Sequence, residues 1–378
     1  MNHAVPRLRI VHSEASIGWG GQELRILTEA VGLLRRGHDV HLVCPAEAPI
    51  LAEARRRGLP ATALPIGRRT LRAVRSLRSW LKEHRPDVLN THSSTDSWLA
   101  AVASRLVGRR LPVVRTRHIS AAVGRDPLSR WLYARGADKV VTTGLKLRES
   151  LVEQQRLAET HVVSVPTGID TARFRSGDRG AARQQLGLPA TATIIGIVAT
   201  IRTWKGHQYL IDAVRRIEEP NLLLLIVGDG PIRDVVTRQV EESGLAARTM
   251  FAGQQQDVVP WLQAMDIFAL PSYANEGVPQ SIVQAMSCQL PVVSTPIGAI
   301  DEAVIHQETG VMVPPREVEP LAEALRRLIA DEALRRRLGS AGRALAVKQF
   351  GIERMLDDME QIFCEVTGIR ESLIRAAA

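Results

Sequence analysis

Short apolar runs and segments of helical period alternate along the whole chain. In the first half the runs are LRIVH, DVHLVC, PDVLNT, LPVVRT, ADKVVTT and HVVSV; in the second they are ATIIGIVAT, NLLLLIVGDG, RTMFAG, MDIFALP, PVVST and TGVMVP. Runs this short, separated by amphipathic stretches, predict strand, helix, strand in repetition, the order of a parallel sheet with helical crossovers. LLLLIV shows no alternation with polar residues, so both faces of such strands are expected under helices. A stretch rich in Gly and Arg at 176–189 divides the two series.

With 378 residues the chain is long enough for about two domains, each with its own core. The expected class is α/β, with two Rossmann-like β/α/β domains, residues 1–172 and 173–351, facing across a cleft. A last helical segment, about 352–378, is long enough to leave the second domain and pack back on the first. Composition agrees: 45% hydrophobic and 24% charged residues fit a globular chain rather than a disordered one. Cys44, Cys288 and Cys364 are far apart and lack CxxC spacing, which suggests neither a disulfide framework nor a zinc site. No basic stretch followed by an apolar core opens the sequence, and no apolar run reaches about 18 residues. The expected location is therefore cytoplasmic.

Charge changes the picture. Residues 1–172 hold 27 Lys and Arg against 15 Asp and Glu, a balance of +12, while the remaining 22 against 25 give −3. Between residues 55 and 85 stand ten basic residues and one acid, Glu83. In RRTLRAVRSLRSWLKEHR, Leu71, Val74, Leu77, Trp80 and Leu81 follow helical spacing, with Arg68, Arg69, Arg72, Arg75, Arg78 and Lys82 on the other side. Such a helix packs its apolar side on its own sheet and offers cations to anionic lipid. An ordinary solvated helix is the plain alternative. Aromatics are only 4% and no RNA-binding signature occurs, so a nucleic-acid partner is not expected.

Open α/β sheets bind ligands at the carboxyl ends of their strands, where helix N-termini present N–H groups. After the first run stands Gly18-Trp19-Gly20-Gly21-Gln22-Glu23, where Gly20 and Gly21 let the backbone approach a ligand. This loop is not GxGxxG, and DVHLVC runs into Pro45 without the acidic residue of a dinucleotide site. After the first run of the second half, Arg202 and Lys205 stand on a strand-to-helix loop. A guanidinium fork and a compact ammonium suit a diphosphate and offset charge growing on a leaving group. Gly228-Asp229-Gly230-Pro231 ends a strand and opens a helix with proline at its first position. Taken singly, the glycine loops can also be plain turns and Arg202 and Lys205 solvated surface cations.

The most specific segment is PSYANEGVPQSIVQAM, residues 271–286, which sets Glu276 on a loop just before a helix. A carboxylate there accepts hydrogen bonds from sugar hydroxyls while neighbouring N–H groups face phosphate. With the GGQE loop, Arg202, the Lys205-Gly206 pair, GDGP at 228–231, PVVSTPIGA at 291–299 and TGVMV at 309–313, the chain resembles glycosyltransferase family 4, the retaining transferases of GT-B fold. The resemblance covers nearly the whole chain. It implies that Arg202 and Lys205 bind the donor phosphates, that the backbone of Gly20 or Gly21 approaches the diphosphate, and that Glu276 holds the donor sugar. His118, in VVRTRHIS, corresponds to the family's active-site histidine, with His92, in NTHSS, as second choice. The nucleoside is expected beyond Gly253 and Gln254, between that loop and position 284, and Gly228 is expected among the donor-binding residues. Diphosphate donors are Gly277, Val278, Gln280 and Ser281, because Pro279, where the family usually has glycine, lacks an N–H. Gln284 stands where the family has a second glutamate for the ribose hydroxyls. A neutral amide there loses charge-assisted strength of about 1 kcal/mol.

The resemblance further implies transfer with retention and without a metal, the donor phosphate oxygen taking the acceptor proton. No cofactor is expected beyond the donor, a UDP-, GDP- or ADP-linked sugar. The acceptor is a glycan or glycolipid, with lipopolysaccharide core favoured by the likeness to bacterial members and by the basic face. That face places the protein peripherally on the inner side of the cytoplasmic membrane. A nucleotide-sugar epimerase of the same fold, or a non-catalytic sugar-nucleotide or lipid-binding protein, are the alternatives.

Overall fold

The six apolar runs of the first half, joined by one short extra strand, build an all-parallel seven-stranded sheet. The structure, a computed structural model, describes residues 6–118, 123–124 and 126–369. It separates into two compact units, one ending at Gly168 and resumed from Ile352, the other Ile169–Gly351. The strands of the first unit are β1 (Arg9–Ser13), β2 (Asp39–Cys44), β3 (Ala61–Ala63), β4 (Val88–Thr91), β5 (Val113–Arg117), β6 (Lys139–Thr142) and β7 (Val162–Ser164). Their spatial order is β3-β2-β1-β4-β5-β6-β7. The extra strand, β3, is Ala-Thr-Ala at the sheet edge, paired to Leu42–Cys44 but without an apolar run to announce it.

The helices between these strands are α1 (Gly21–Arg35), α2 (Pro49–Arg56), α3 (Leu71–His84), α4 (Ser94–Ala103), α5 (Pro127–Ala134) and α6 (Leu145–Gln155). Successive strand residues go to opposite apolar layers: Ile10, Leu42 and Val88 to one, Val11, Val43 and Leu89 to the other. Both faces are therefore buried, as the missing alternation predicts. One detail of α3 differs from the sequence reading. Ala73, Leu77, Trp80 and Leu81 are buried, but Leu71 is 75% exposed. On a helix of 3.6 residues per turn, position 71 falls about 120° from Leu77 and about 80° from Leu81, off the buried row.

The second unit is built on β8 (Thr193–Val198), β9 (Leu222–Val227), β10 (Thr249–Gly253), β11 (Ile267–Leu270), β12 (Val292–Ser294) and β13 (Val311–Met312). They lie parallel in the order β10-β9-β8-β11-β12-β13. Around them stand α7 (Arg179–Leu186), α8 (His207–Arg215), α9 (Arg233–Glu242), α10 (Val259–Ala264), α11 (Gln280–Ser287), α12 (Val318–Ala330) and α13 (Glu332–Gln349). A single core runs through Ile194, Leu224, Phe268, Val293 and Leu325. In each sheet the strand order reverses once, between β1 and β4 and between β8 and β11. These reversals open the crevices where α/β sheets take ligands.

The chain then returns to its first unit. Helix α14 (Ile352–Thr367) buries Met355, Leu356, Met359 and Phe363 in the layer that holds α1. Gly32 of α1 permits the approach, since a Cβ there would lie 2.6 Å from Leu356 Cδ1. Arg36 pairs with Asp357 and Glu360 at 2.8 Å each, and His38 Nε2 lies 2.9 Å from Glu360 Oε1. The expected extension of this helix past residue 369 lies outside the described residues. Among the described residues no helix is long and apolar enough to cross a membrane.

Candidate functional site

At the strand reversal of the second unit, backbone contacts tie the loop leaving β8 to the loop leaving β11. Tyr273 N–H donates to the Trp204 carbonyl at 2.8 Å. Gly206, at φ 79°, passes so close that a Cβ would sit 2.0 Å from the Pro271 carbonyl oxygen, and its left-handed backbone also favours glycine. This fit sets Lys205 Nζ 2.7 Å from Glu276 Oε1, and Ser272 Oγ donates to the same oxygen at 2.7 Å. Glu276 is 5% exposed and Lys205 partly exposed, so the carboxylate is buried with its charge partner nearer the surface. A third loop closes behind them. Thr295 Oγ1 donates to the Ser272 carbonyl, and a Cβ on Gly298, at φ 63°, would lie 2.0 Å from the Glu276 carbonyl oxygen.

The other sequence-predicted residues of this unit fall around that pair. Arg202 lies with its guanidinium 5.2 Å from the centre of the Trp204 ring. Gly228 and Gly230 face the backbone of the β8 loop, where a Cβ would come within 2.0 Å of the Ala199 oxygen and 2.4 Å of the Ile201 oxygen. Gly228 N–H donates to the Gly253 carbonyl at 2.8 Å, and Gln254 follows in the open. Gly277, Val278 and Pro279 are buried and lead into α11, where Gln280, Ser281 and Gln284 are partly exposed. Lys205 with Glu276, and Gly228 with Gly253, are thus brought into direct contact. The Lys205 N–H donates to the Arg202 carbonyl at 3.0 Å, and no side-chain hydrogen bond links Arg202 or Gln284 to these residues among the described residues. His207, beside Lys205, is held neutral: burial first, and then the lysine charge, push it down to about 4.

In the first unit, Gly20 and Gly21 lead into α1. The fold does not demand glycine there, because Gly20 has an extended backbone and the nearest atom to a Cβ would be Glu23 Oε2 at 3.8 Å. Such a position leaves room beside the chain. His118 follows β5 directly, and its Nε2 lies 3.1 Å from His92 Nδ1. His92 Nε2 in turn lies 3.0 Å from Nδ1 of His12, on β1. Burial pushes His12 down to about 3. His92 and His118 stand well below the usual imidazole range, again chiefly through burial, with the Arg25 charge adding to both. Arg25, fully buried, lies 3.6 Å from Glu29 and donates to the Val165 carbonyl and Thr167 Oγ1. Glu29 accepts from Asn90 Nδ2 at 3.1 Å, and burial raises it to about 7 against the pull of Arg25. Glu14 is raised to about 8 by burial and by the charge of Asp96.

Sequence reasoning missed Ser272, Gly298 and His12. The first two act through backbone or hydroxyl contacts on Glu276 that no spacing reveals. His12 had a signal: like His92 and His118 it stands at a strand end in the first half, and β1, β4 and β5 are neighbours in the sheet.

Comparison with known proteins agrees with this geometry. Residues 19–173 match the family described as Glycosyltransferase Family 4, and residues 178–345 match Glycosyl transferases group 1. The lipopolysaccharide core biosynthesis glycosyltransferase LpsE of Rhizobium meliloti is 33% identical over 239 residues, 63% of this chain and 67% of that protein. An Escherichia coli UDP-Gal:alpha-D-GlcNAc-diphosphoundecaprenol alpha-1,3-galactosyltransferase is 24% identical over 382 residues, 95% of this chain and 97% of its own length. Among solved structures, Anabaena HepE in complex with UDP superposes with a TM-score of 0.85 at 22% identity, covering 95% of this chain and 100% of that one. The two parallel sheets, the phosphate-type loops at their reversals and these matches agree: the chain belongs to glycosyltransferase family 4, the group 1 enzymes of GT-B fold that transfer a sugar from a nucleotide donor.

Proposed function

We propose that this enzyme is a retaining, metal-independent transferase of bacterial cell-envelope glycan synthesis, taking a UDP-linked hexose to a glycolipid acceptor of the lipopolysaccharide-core type. The observation that carries the reading is the contact of Lys205 with Glu276, 2.7 Å long and fixed by three loops. A nucleotide sugar gives each partner a new role. Lys205 and Arg202 meet the diphosphate, and Glu276, kept oriented by Ser272, accepts from sugar hydroxyls. N–H groups of Gly277, Val278, Gln280 and Ser281 at the start of α11 supplement the cations, and in the first unit Gly20 or Gly21 is where the backbone approaches the donor. Gln284, one turn along α11, takes the ribose, and Gly228, Gly253 and Gln254 border the nucleoside. His118 offers its imidazole near the reacting centre, and a donor phosphate oxygen takes the acceptor proton.

The names of the two relatives support a lipopolysaccharide or undecaprenol-linked acceptor and a UDP-sugar. Peripheral association with an anionic membrane rests on α3, whose Arg72, Arg75 and Lys82 are exposed beside Leu71. Each cation near such a surface is worth about 1 kcal/mol. Arg69 and Arg78 are partly engaged elsewhere, with Ser94 Oγ at 2.8 Å and the Leu106 carbonyl at 2.7 Å.

A thermal-shift panel of UDP-, GDP- and ADP-sugars tests the donor, since a ligand at 100 times its Kd stabilises by about 2.7 kcal/mol. Slow hydrolysis of the stabilising sugar nucleotide, lost in Glu276→Ala, is expected of a transferase and not of a binding protein. Activity abolished by EDTA and restored by magnesium or manganese would overturn the metal-independent part. Liposome binding that survives reversal of Arg68, Arg69, Arg72 and Arg75 to Glu would remove α3 as the membrane contact.

A further inference from the structure

Three imidazoles cross the carboxyl edge of the first sheet in a line, His12 on β1, His92 after β4 and His118 after β5. The contacts are head to tail: His12 Nδ1 to His92 Nε2 at 3.0 Å, then His92 Nδ1 to His118 Nε2 at 3.1 Å. The His12 and His92 rings lie edge to edge, 9° from parallel with centroids 5.3 Å apart. A neutral imidazole has one N–H and one lone pair, and each contact requires one of each. Only two arrangements satisfy both contacts with every ring neutral. Either all three rings carry the proton on Nε2, or all three carry it on Nδ1. The inner end decides between them, because His12 Nε2 is buried and has no hydrogen-bond partner among the described residues. The Nε2–H arrangement would bury an N–H donor with nothing to receive it, the rarest kind of unpaired group in folded proteins. The Nδ1–H arrangement leaves a lone pair there instead.

We infer that His12 and His92 are positioning residues which lock His118 in the Nδ1–H tautomer, so that it meets its ligand as a neutral hydrogen-bond donor. His118 Nδ1 has no hydrogen-bond partner among the described residues, which leaves that N–H for a hydroxyl or phosphate oxygen. The charge of the buried Arg25 on α1 opposes protonation of His92 and His118, that of Arg117 on β5 opposes protonation of His118, and burial alone does so at His12. His118 therefore does not serve as the base. That assignment agrees with a mechanism in which the acceptor proton goes to the donor phosphate. Free histidine prefers the opposite tautomer, so the locked form is a distinctive state.

The inference rests on His118 being the ligand-facing residue of the proposed function, yet the tautomer is read without any ligand. Long-range nitrogen–proton NMR on the full chain labelled with 15N-histidine is the test. In the unaltered protein, His118, assigned by its loss in His118→Ala, is expected as Nδ1–H in about tenfold excess, the population given by about 1.4 kcal/mol. His12→Phe removes the inner donor and is expected to return His118 to a mixture rich in Nε2–H. His12→Asn, which keeps an N–H near the Nδ1 position, is expected to restore the lock. An Nε2–H form of His118 in the unaltered protein overturns the inference, as does a tautomer that His12→Phe leaves unchanged. Inactivity of the enzyme toward UDP-glucose would count against the proposed function and leave the tautomer result standing.

Discussion

In the second unit an ammonium and a carboxylate meet at 2.7 Å between loops that touch backbone to backbone. In the first unit, at the equivalent reversal of strand order, three imidazoles are kept neutral and even Glu14 is pushed up to about 8. The second unit presents strong, oriented charge held by tight glycine turns. The first presents a neutral hydrogen-bonding edge beside Gly20, which its fold does not require. A diphosphate calls for the charged surface of the second unit. A hydroxyl that keeps its proton suits the neutral edge of the first.

The contrast is tested most strongly at Lys205. If the charge of the second unit carries the transition state, Lys205→Ala lowers the transfer rate by about 10²–10³, the loss seen when one preorganised charge donor is removed. A rate within a factor of about three, measured as kcat/KM with the donor varied, would place the diphosphate elsewhere.

Two glycine substitutions then compare the loops themselves. Gly298→Ala forces a Cβ to 2.0 Å from the Glu276 oxygen at a left-handed backbone, whereas at Gly20 the nearest atom is 3.8 Å away. The first is expected to cost about 2–3 kcal/mol of stability and to disturb Glu276, the second under about 0.5 kcal/mol. Urea unfolding of both variants gives the two values. Equal costs would dissolve the distinction between demanded and permissive glycine.

A smaller effect separates the two interiors by pH. Glu14 has an unfolded pKa of 4.5 and a folded one of about 8, so between these values the unfolded chain gives up a proton that the folded chain keeps. Stability conferred by this group is complete below pH 4.5 and declines as pH rises. From pH 6.5 to 8 the first unit is expected to lose about 1–2 kcal/mol. The buried histidines act in the opposite direction. His12, at 6.5 unfolded and about 3 folded, withholds stability as pH falls below 6.5, and His207, near 4, gives the second unit a similar acid slope. Amide protection against exchange is thus expected to weaken in β1 but not in β8 or β11 as pH rises from 6.5 to 8. Uniform loss across both sheets would contradict it.

The smallest effect concerns the ribose. Gln284→Glu restores a charged acceptor on α11 and is expected to tighten donor binding by about 1 kcal/mol, about fivefold in Kd by calorimetry. Weaker binding would mean that the amide is fitted to a different partner.

Much of this was legible in the sequence, for definite reasons. Strands buried on both faces write themselves as unbroken apolar runs, so among the described residues twelve of the thirteen strands were visible and only β3, with its alanines and threonine at an edge, was not. Lys205 and Glu276 were visible because strand-to-helix loops are where α/β sheets bind anions. Their direct contact was not, since it depends on Gly206 fitting against Pro271, 65 residues later in the chain. Leu71 was misplaced because an i, i+3 count from one end of a stripe ignores the angle it accumulates. The histidine line was hidden because strand order, which puts β4 between β1 and β5, is not written locally in any of the three segments.

The Gly32–Leu356 contact has a consequence for how the chain comes off the ribosome. Residues Ile169–Gly351 are contiguous, so the second unit has all of its parts once residue 351 has emerged. The first unit begins earlier and is completed later, because α14 supplies part of its core and the partners of Arg36 and His38. Synthesis order and folding order are therefore inverted, and the half that emerges first must wait with α1 uncovered until the other half has been made.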